Sequence, residues 1–553
     1  MKTYFLKSLF VFFITISFAL HFNNATAQTF SHQKNLDQFL ELMSQKGFID
    51  YSDLIKPVER KHIFSLLQEL KTNNNLNEVE KKELAFYLED FKLEDSSFMP
   101  NKIVPPNFPH FFKKPLDQQN LFLYKDKDFG FIVDPFIIAD QAFVNGHSLN
   151  TQAVGAQFLG YAGKRIGFQF SFQDINQLGQ IDTIRLDNEL PGIVRKASTN
   201  PRLFNYSQMN ATISYRFNKG NIVVGQDQNI FGYGKTGNLV LSDKSPAYPF
   251  YVINYQPVKW FKFNYMHAWL QSGVINDAAS YSTGNSVYGG LRKTFVPKFY
   301  AVHSLEITAM PGLKFNLGES MVYTDQLELA YMLPVTFFKA FDNQKFNDNI
   351  LTGSNGQFFM GFSSRNQIKR THIYGQFFID EIRIGSMFNA GTSRNQIGYQ
   401  LGASMADAFI PNLTLSSEYT RINPFVYRNF IPAQNYTNAN FSLGDWMGAN
   451  SGRLWLSANY RPKAKFSLTG YMMFIDRGGA GTIEQQYFAV PQPKFGFDPQ
   501  YQRTKLGFEA NYSFWSKASI RIAAAQTSQK ATNGASASSS IREASLGIYW
   551  NKF

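Results

Sequence analysis

An all-β transmembrane barrel of about 18 antiparallel strands, preceded by a small α-helical periplasmic domain, is the fold this sequence predicts. Three observations carry the prediction. From about Phe129 onward, apolar and polar residues alternate with a period of two, segment after segment. After the first 27 residues, the longest dense apolar segment, Leu327 to Phe338, is interrupted by Glu328 and Pro334. A spanning helix needs about 18 or more apolar residues in a row, whereas a spanning strand needs only about 9–11 alternating ones. Aromatic residues form 16% of the chain, with 56 Phe and 28 Tyr. Barrels place such residues on the lipid face and in two interfacial girdles.

The elements follow in chain order. Met1 to Ala27 reads as a secretory signal: Lys2 and Lys7, a short apolar run from Ser8 to Leu20, and Ala25-Thr26-Ala27 as a small-residue cleavage site. The chain contains no Cys, so it holds no disulfide, no thiolate metal site and no lipid-bearing N-terminal Cys. Residues 28–99 read as a helical periplasmic domain. Leu36, Phe39, Leu40 and Met43 share one helical stripe. Ile63, Leu66, Leu67 and Leu70 share a second, and Leu84, Tyr87, Leu88 and Phe91 a third. Asn77 precedes an acidic first turn as an N-cap would. Ser52-Asp53-Leu54 and Pro57 break the first two helices apart. Pro100, Pro105, Pro106, Pro109 and Pro115 make 100–128 a stiff linker.

Residues 129–553 read as the barrel. Ile213 and Tyr215 alternate with Thr212 and Ser214; Phe261, Phe263, Tyr265 and Trp269 alternate with Lys262 and Asn264. Leu413, Leu454 and Leu506 open similar runs. Short turns at 217–220 and 461–463 contrast with longer polar stretches at 176–204, 339–356, 422–450 and 476–502. Short turns on one side and long loops on the other are how outer-membrane barrels are built. In the last strand, Ala544, Leu546, Ile548 and Trp550 alternate with polar or small residues. The final Phe553 falls on the opposite parity to the usual barrel terminus. The location that follows is the bacterial outer membrane.

Charge is unevenly spread. Residues 28–100 carry 9 Lys+Arg and 13 Asp+Glu, and residues 101–553 carry 43 and 28. A basic barrel suits anionic partners, lipopolysaccharide phosphate or acidic glycan, and a preference for Lys and Arg at membrane rims explains the excess equally well. Mean hydropathy of −0.26 agrees with a cylinder that hides its polar half.

No catalytic set stands out. The eight His are scattered without metal-ligand spacing, and no cofactor or nucleic-acid partner is indicated. His372 and Asp380 share one strand face but lie far apart along it. The glycines of Gly478-Gly479-Ala480-Gly481 read as loop flexibility. The densest tract is Gly225 to Asp243, with Gln226, Asp227, Gln228, Asn229, Tyr233, Lys235 and Asn238. Amides, carboxylates and aromatic faces are what sugar recognition uses, although a polar lumen lining explains the same residues.

This tract resembles the signature region of the Wzi-type capsule-assembly family. The likeness continues, in order, through ELAYMLPVTFF at 328–338, QFFIDEIRIG at 376–385, EYTRINPFVY at 418–427 and LGDWMGANSGRLWLSANYRP at 443–462. The RemB-type branch from gliding bacteria is similar and shares the acidic helical N-terminus. The resemblance implies an 18-stranded barrel that holds surface polysaccharide as a lectin, not an enzyme, with a link to adhesion or gliding motility. It implies Gln226, Asp227, Asn229, Lys235, Glu328, Asp380, Glu381 and Arg383 as ligand-binding candidates. Expected partners are surface polysaccharide, lipopolysaccharide and outer-membrane lipid, with periplasmic or export-complex proteins meeting residues 28–99. The alternative is a porin-like channel for small anionic solutes. The N-terminal helices have two readings: they plug the periplasmic mouth, or they reach toward a periplasmic partner.

Overall fold

The computed structural model describes residues 30–31, 33–99, 120–179, 192–193, 200, 202–285, 287, 289–345, 353–382, 385, 388–389, 391–532 and 539–551. The signal, most of the proline linker, Arg383 and Phe553 lie outside the described residues.

Eighteen antiparallel strands close into a barrel. In order they are β1 (Phe129–Val144), β2 (His147–Ala162), β3 (Ile166–Gly179), β4 (Leu203–Phe217), β5 (Gly220–Asp227), β6 (Tyr248–Val258), β7 (Phe261–Ser282), β8 (Leu291–Met310) and β9 (Leu313–Thr324). The second half is β10 (Asn355–Arg365), β11 (Thr371–Ile382), β12 (Asn395–Ala406), β13 (Leu413–Ile422), β14 (Ser451–Lys463), β15 (Phe466–Arg477), β16 (Tyr501–Trp515), β17 (Ala518–Ala531) and β18 (Ser539–Trp550). Each pairs with its chain neighbour, and β18 returns to β1 from Trp550↔Ile137 to Glu543↔Val144. Closure leaves no unpaired edge in the bilayer. A short strand, Phe122–Lys125, also pairs with the start of β1, so strand structure begins inside the stretch read as linker.

The period-two pattern sorts side chains as the sequence predicts. Val154, Ile213, Leu401 and Leu546 point outward, while Gln157, Asn316, Gln400 and Arg453 are buried within. One set of connections is short, two to six residues each, as at 218–219, 259–260 and 407–412. The long loops lie at the other end. One turn differs from expectation: Arg461, Pro462 and Lys463 stay in β14 past a register shift, and the turn falls at 464–465.

The N-terminal segment forms helices α1 (Lys34–Gln45), α2 (Arg60–Lys71) and α3 (Glu78–Leu88). Their apolar stripes meet in one core that includes Phe39, Leu40, Ile63, Leu67, Leu70, Leu84 and Tyr87. Asn77 caps α3 by accepting from the N–H groups of Val79 and Glu80. The unit is seated in the mouth of the barrel at the short-turn end. Arg365 Nη2 meets Asp53 Oδ1 at 2.6 Å, Arg461 Nη1 meets Glu83 Oε1 at 2.6 Å, and Lys314 Nζ meets Asp50 Oδ1 at 3.0 Å. Lys517 Nζ lies 2.8 Å from Asp90 Oδ1 and 2.5 Å from Asp134 Oδ2. Of the two sequence readings, the plugged mouth is the arrangement present.

The lumen above this plug is filled by two inward loops, 228–247 after β5 and 423–450 after β13. Tyr233, Leu239, Val240 and Leu241 of the first pack with Val426, Tyr427, Tyr436, Leu443 and Trp446 of the second. They bond to each other: Tyr427 OH donates to Leu239 O at 2.8 Å, Tyr436 OH to Val240 O at 2.7 Å, and Trp446 Nε1 to Thr236 O at 2.9 Å. Buried barrel charges hold them. Arg453 grips Asp445 at 3.1 and 2.7 Å, and Glu418 accepts from Lys235 N at 2.7 Å. Ile55 and Lys56 of the plug pair with Phe231 and Ile230, which joins plug and loop.

Candidate functional site

At the long-loop end, the ends of β11 and β12 meet loop 423–450 and loop 478–500. A bulge between Ile379 and Glu381 shifts the register there, and Glu381 comes opposite Gln396, whose side chain is buried within the barrel. Gln396 Nε2 donates to Glu381 Oε2 at 3.0 Å. Gln486 Nε2 donates to Gln396 Oε1 and to Arg428 O, both at 3.2 Å. Gln486 lies on α6 (Ile483–Tyr487), which among the described residues follows α4 (Leu329–Met332) and α5 (Phe338–Lys345). Thr482 caps α6 with a reciprocal bond to Gln485. Arg394 donates to Tyr487 O and sits 3.9 Å from Glu381 Oε1. The Tyr487 hydroxyl accepts from Phe430 N at 3.1 Å, with the two rings edge-on at 5.9 Å.

This rim holds the carboxylates of Asp380 and Glu381, two amides, two guanidinium groups and the rings of Phe430, Tyr487 and Phe488. Arg428 Nη1 donates to the carbonyls of Ala480 and Gly481. Burial lowers the Arg428 guanidinium from its ordinary value, but an arginine so placed keeps its charge at neutral pH. Burial, with the nearby Glu381 carboxylate, pushes the Tyr487 hydroxyl up to about 12, so it stays protonated. Phe430 and Phe488 are 60% and 71% exposed, which leaves flat apolar faces open beside these polar groups. Hydroxyl-bonding side chains next to stacking faces are chemistry that suits a sugar ring.

The structure brings only some of the predicted residues together. Asp380 and Glu381 reach the rim, where Asp380 accepts from Tyr427 N at 2.6 Å and Gln357 Nε2 at 3.2 Å and so holds loop 423–450 down. Lys235 is spent on an ion pair with Glu41 of α1. Asp227 and Asn229 line a lumenal cavity with Asn264, Ser304 and Gln169 on the other side of the barrel. Gln226 shares the outward parity of Val224. Glu328 lies in the loop after β9, where it accepts from Gln326 at 3.0 Å. Arg383 is outside the described residues. His372 bonds Ser363 Oγ at 2.9 Å beneath the plug and does not meet Asp380. Among the described residues no group of three or more His, Asp or Glu is placed to hold a metal ion.

Sequence reasoning missed Arg394, Gln396, Arg428, Gln486 and Tyr487. The available signal was the recurrence of Gln, Arg and Tyr in the two long loops. Gly478 and Gly479 are tightly packed and not the flexible links their composition suggests. A Cβ on Gly478 would lie 2.1 Å from Asn450 Nδ2, and one on Gly479 2.3 Å from Asp498 Oδ2. These glycines permit close packing of the loop.

Comparison with solved structures bears on the fold. The outer-membrane protein Wzi of Escherichia coli, described as a carbohydrate-binding β-barrel involved in group 1 capsule assembly, matches over 95% of this chain and 100% of its own. The TM-score is 0.57 at 12% sequence identity. This chain has the Wzi-type barrel fold. OprD of Pseudomonas aeruginosa, at 12% identity, covers 76% of this chain and 92% of its own with a TM-score of 0.42. OccAB2 of Acinetobacter baumannii, at 11% identity, covers 76% and 97% with a TM-score of 0.43. No family model and no curated protein matches the sequence. The closed cylinder with its outward apolar belt is that of a bacterial outer-membrane protein.

Proposed function

We propose that this protein binds surface polysaccharide at its extracellular rim and keeps it at the cell exterior, as a lectin and not as an enzyme. The rim cluster of Glu381, Arg394, Gln396, Arg428, Gln486 and Tyr487 carries the reading. Gln396 and Gln486 are buried and brace the cluster from within, while Glu381, Arg394, Arg428 and Tyr487 are half-buried on its outer side. Among the described residues the Arg428 guanidinium hydrogen-bonds carbonyl oxygens and pairs with no carboxylate, so an arriving uronate or phosphate adds a charge-assisted bond. The excess of Lys and Arg over residues 101–553 favours an acidic glycan further. The likeness to Wzi supports the same assignment.

Deletion of the gene is expected to release cell-attached polysaccharide into the medium, and complementation with Arg428→Ala is expected to restore it poorly. Losing one charge-assisted bond costs about 1.5–3 kcal/mol, roughly a ten- to hundredfold loss in affinity. Full retention of glycan by the deletion strain overturns the proposal. A contribution to gliding or adhesion is read from the spreading and attachment of that strain. The filled lumen speaks against the channel alternative.

A further inference from the structure

The loop after β9 does not stay above the barrel. Residues 325–345 fold back along its outer wall. On β7, β8 and β9 the outward parity is set by Trp269, Ile307 and Leu317, all exposed. Tyr265, Phe299, Ala301, Met321 and Tyr323 share that parity but are buried, because Tyr331, Phe338 and Phe341 cover them. At about 2.5 Å of height per tilted residue, Tyr265 and Glu319 lie about 12–18 Å from the periplasmic turns, and Tyr323 and Phe299 about 28–30 Å. The covered patch therefore runs from mid-bilayer to the outer interface.

At that depth backbone groups outside the barrel need protein partners, and the outer wall supplies them. Tyr265 OH donates to Tyr331 O at 2.7 Å, and Tyr251 OH to Met332 O at 2.9 Å, at the end of α4. Glu319 accepts from Phe338 N at 2.6 Å and Lys339 N at 3.3 Å, at the start of α5. His303 Nε2 stands 3.1 Å from the same carboxylate. The backbone polar groups of Tyr331, Met332, Phe338 and Lys339 thus turn toward the wall. The side chains turned away are Leu327, Leu329, Leu333, Val335 and Phe337, from 44% to 88% exposed. They continue the apolar belt, as Phe337 packs on Phe358 at 5.9 Å.

We propose that residues 329–338 are a lipid-immersed lobe whose partner is the acyl-chain layer of the outer leaflet. The continuity of the belt, the depth of Glu319 and the inward turn of every named polar contact commit the lobe to lipid.

The chain has no Cys, so single cysteines can be labelled without background. Full-length protein carrying a nitroxide at Leu329→Cys or Val335→Cys is reconstituted in liposomes of lipopolysaccharide and phospholipid. Leu401→Cys serves as the belt reference and Phe430→Cys as the water reference. The expected oxygen-to-nickel-chelate accessibility ratio at 329 and 335 matches 401 and is on the order of tenfold above 430. A ratio like that at 430 overturns the proposal. So does dipolar broadening at 335 that vanishes on dilution with unlabelled protein, which would make a second copy the occupant. All four positions are exposed, so the labels leave the fold intact.

Discussion

Arg365 and Asp53 show how a single pair ties the helical plug to the barrel. Both side chains are almost wholly buried, at 3% and 2% exposure. Burial alone would raise the Asp53 carboxyl, but Arg365, then Lys56 and Lys235, hold it well below the usual carboxylate range. Glu41 is lowered in the same way, against burial, by Lys235 and Lys56. Both native values lie below the unfolded ones. Their contribution to stability is therefore complete above about pH 4–5 and is lost as pH falls through the native values. Unfolding in detergent, followed from neutral pH to about pH 2, should show the plug loosening on the acid side only. Asp53→Asn leaves a buried guanidinium without its carboxylate and should cost about 3–5 kcal/mol in a denaturant titration at neutral pH. None of these partners was legible in the sequence, because Asp53 and Arg365 are 312 residues apart. Lys235 and Asp380 carried the right chemistry for a ligand, and the fold uses it to hold its own loops.

The strands were the legible elements. Ile213, Leu401 and Leu546 lie on the parity their sequence assigns, since a period of two fixes the face of every residue once register is set. Periodicity is silent about loops. The tract 225–243 was singled out for its polar density, but its packing against loop 423–450 depends on long-range contacts. Gly237 shows how close that packing is, since a Cβ there would lie 2.2 Å from Asp445 Oδ2. The expected behaviour of the intact protein in a planar bilayer is near silence. Replacing 428–447 with a short turn should open ion-conducting steps, and a large native conductance would contradict a filled lumen. The external lobe left a fainter trace. His303 and Glu319 stand on the lipid parity of β8 and β9, where a bare barrel wall would not tolerate them.

For the whole molecule, the sequence carries a prediction about ionic strength. If rim and barrel attract an acidic glycan, retention by cells should weaken steadily from low salt to about 0.5 M, because the Debye length shrinks from about 30 Å at 0.01 M to a few ångströms. Salt-independent retention would point to neutral sugar contacts. Architecture and strand number were open to reading because they depend on local alternation and turn spacing. Of the residues at the rim, Asp380 and Glu381 were among the expected ligand candidates and Arg428 and Tyr487 were not, since the rim is assembled from strands and loops remote in the chain.

Lys517 sits in the turn between β16 and β17, yet its ammonium reaches Asp134 on the first strand and Asp90 beside α3. It thereby staples the seam where the end of the chain meets the beginning. During insertion, when that seam still gapes, Lys517 and Asp134 lack each other, while Asp90 keeps only Arg60 of its own unit. Zipping the last hairpin onto the first strand therefore completes an electrostatic latch as well as a hydrogen-bond ladder, and prying the wall apart sideways must undo both together.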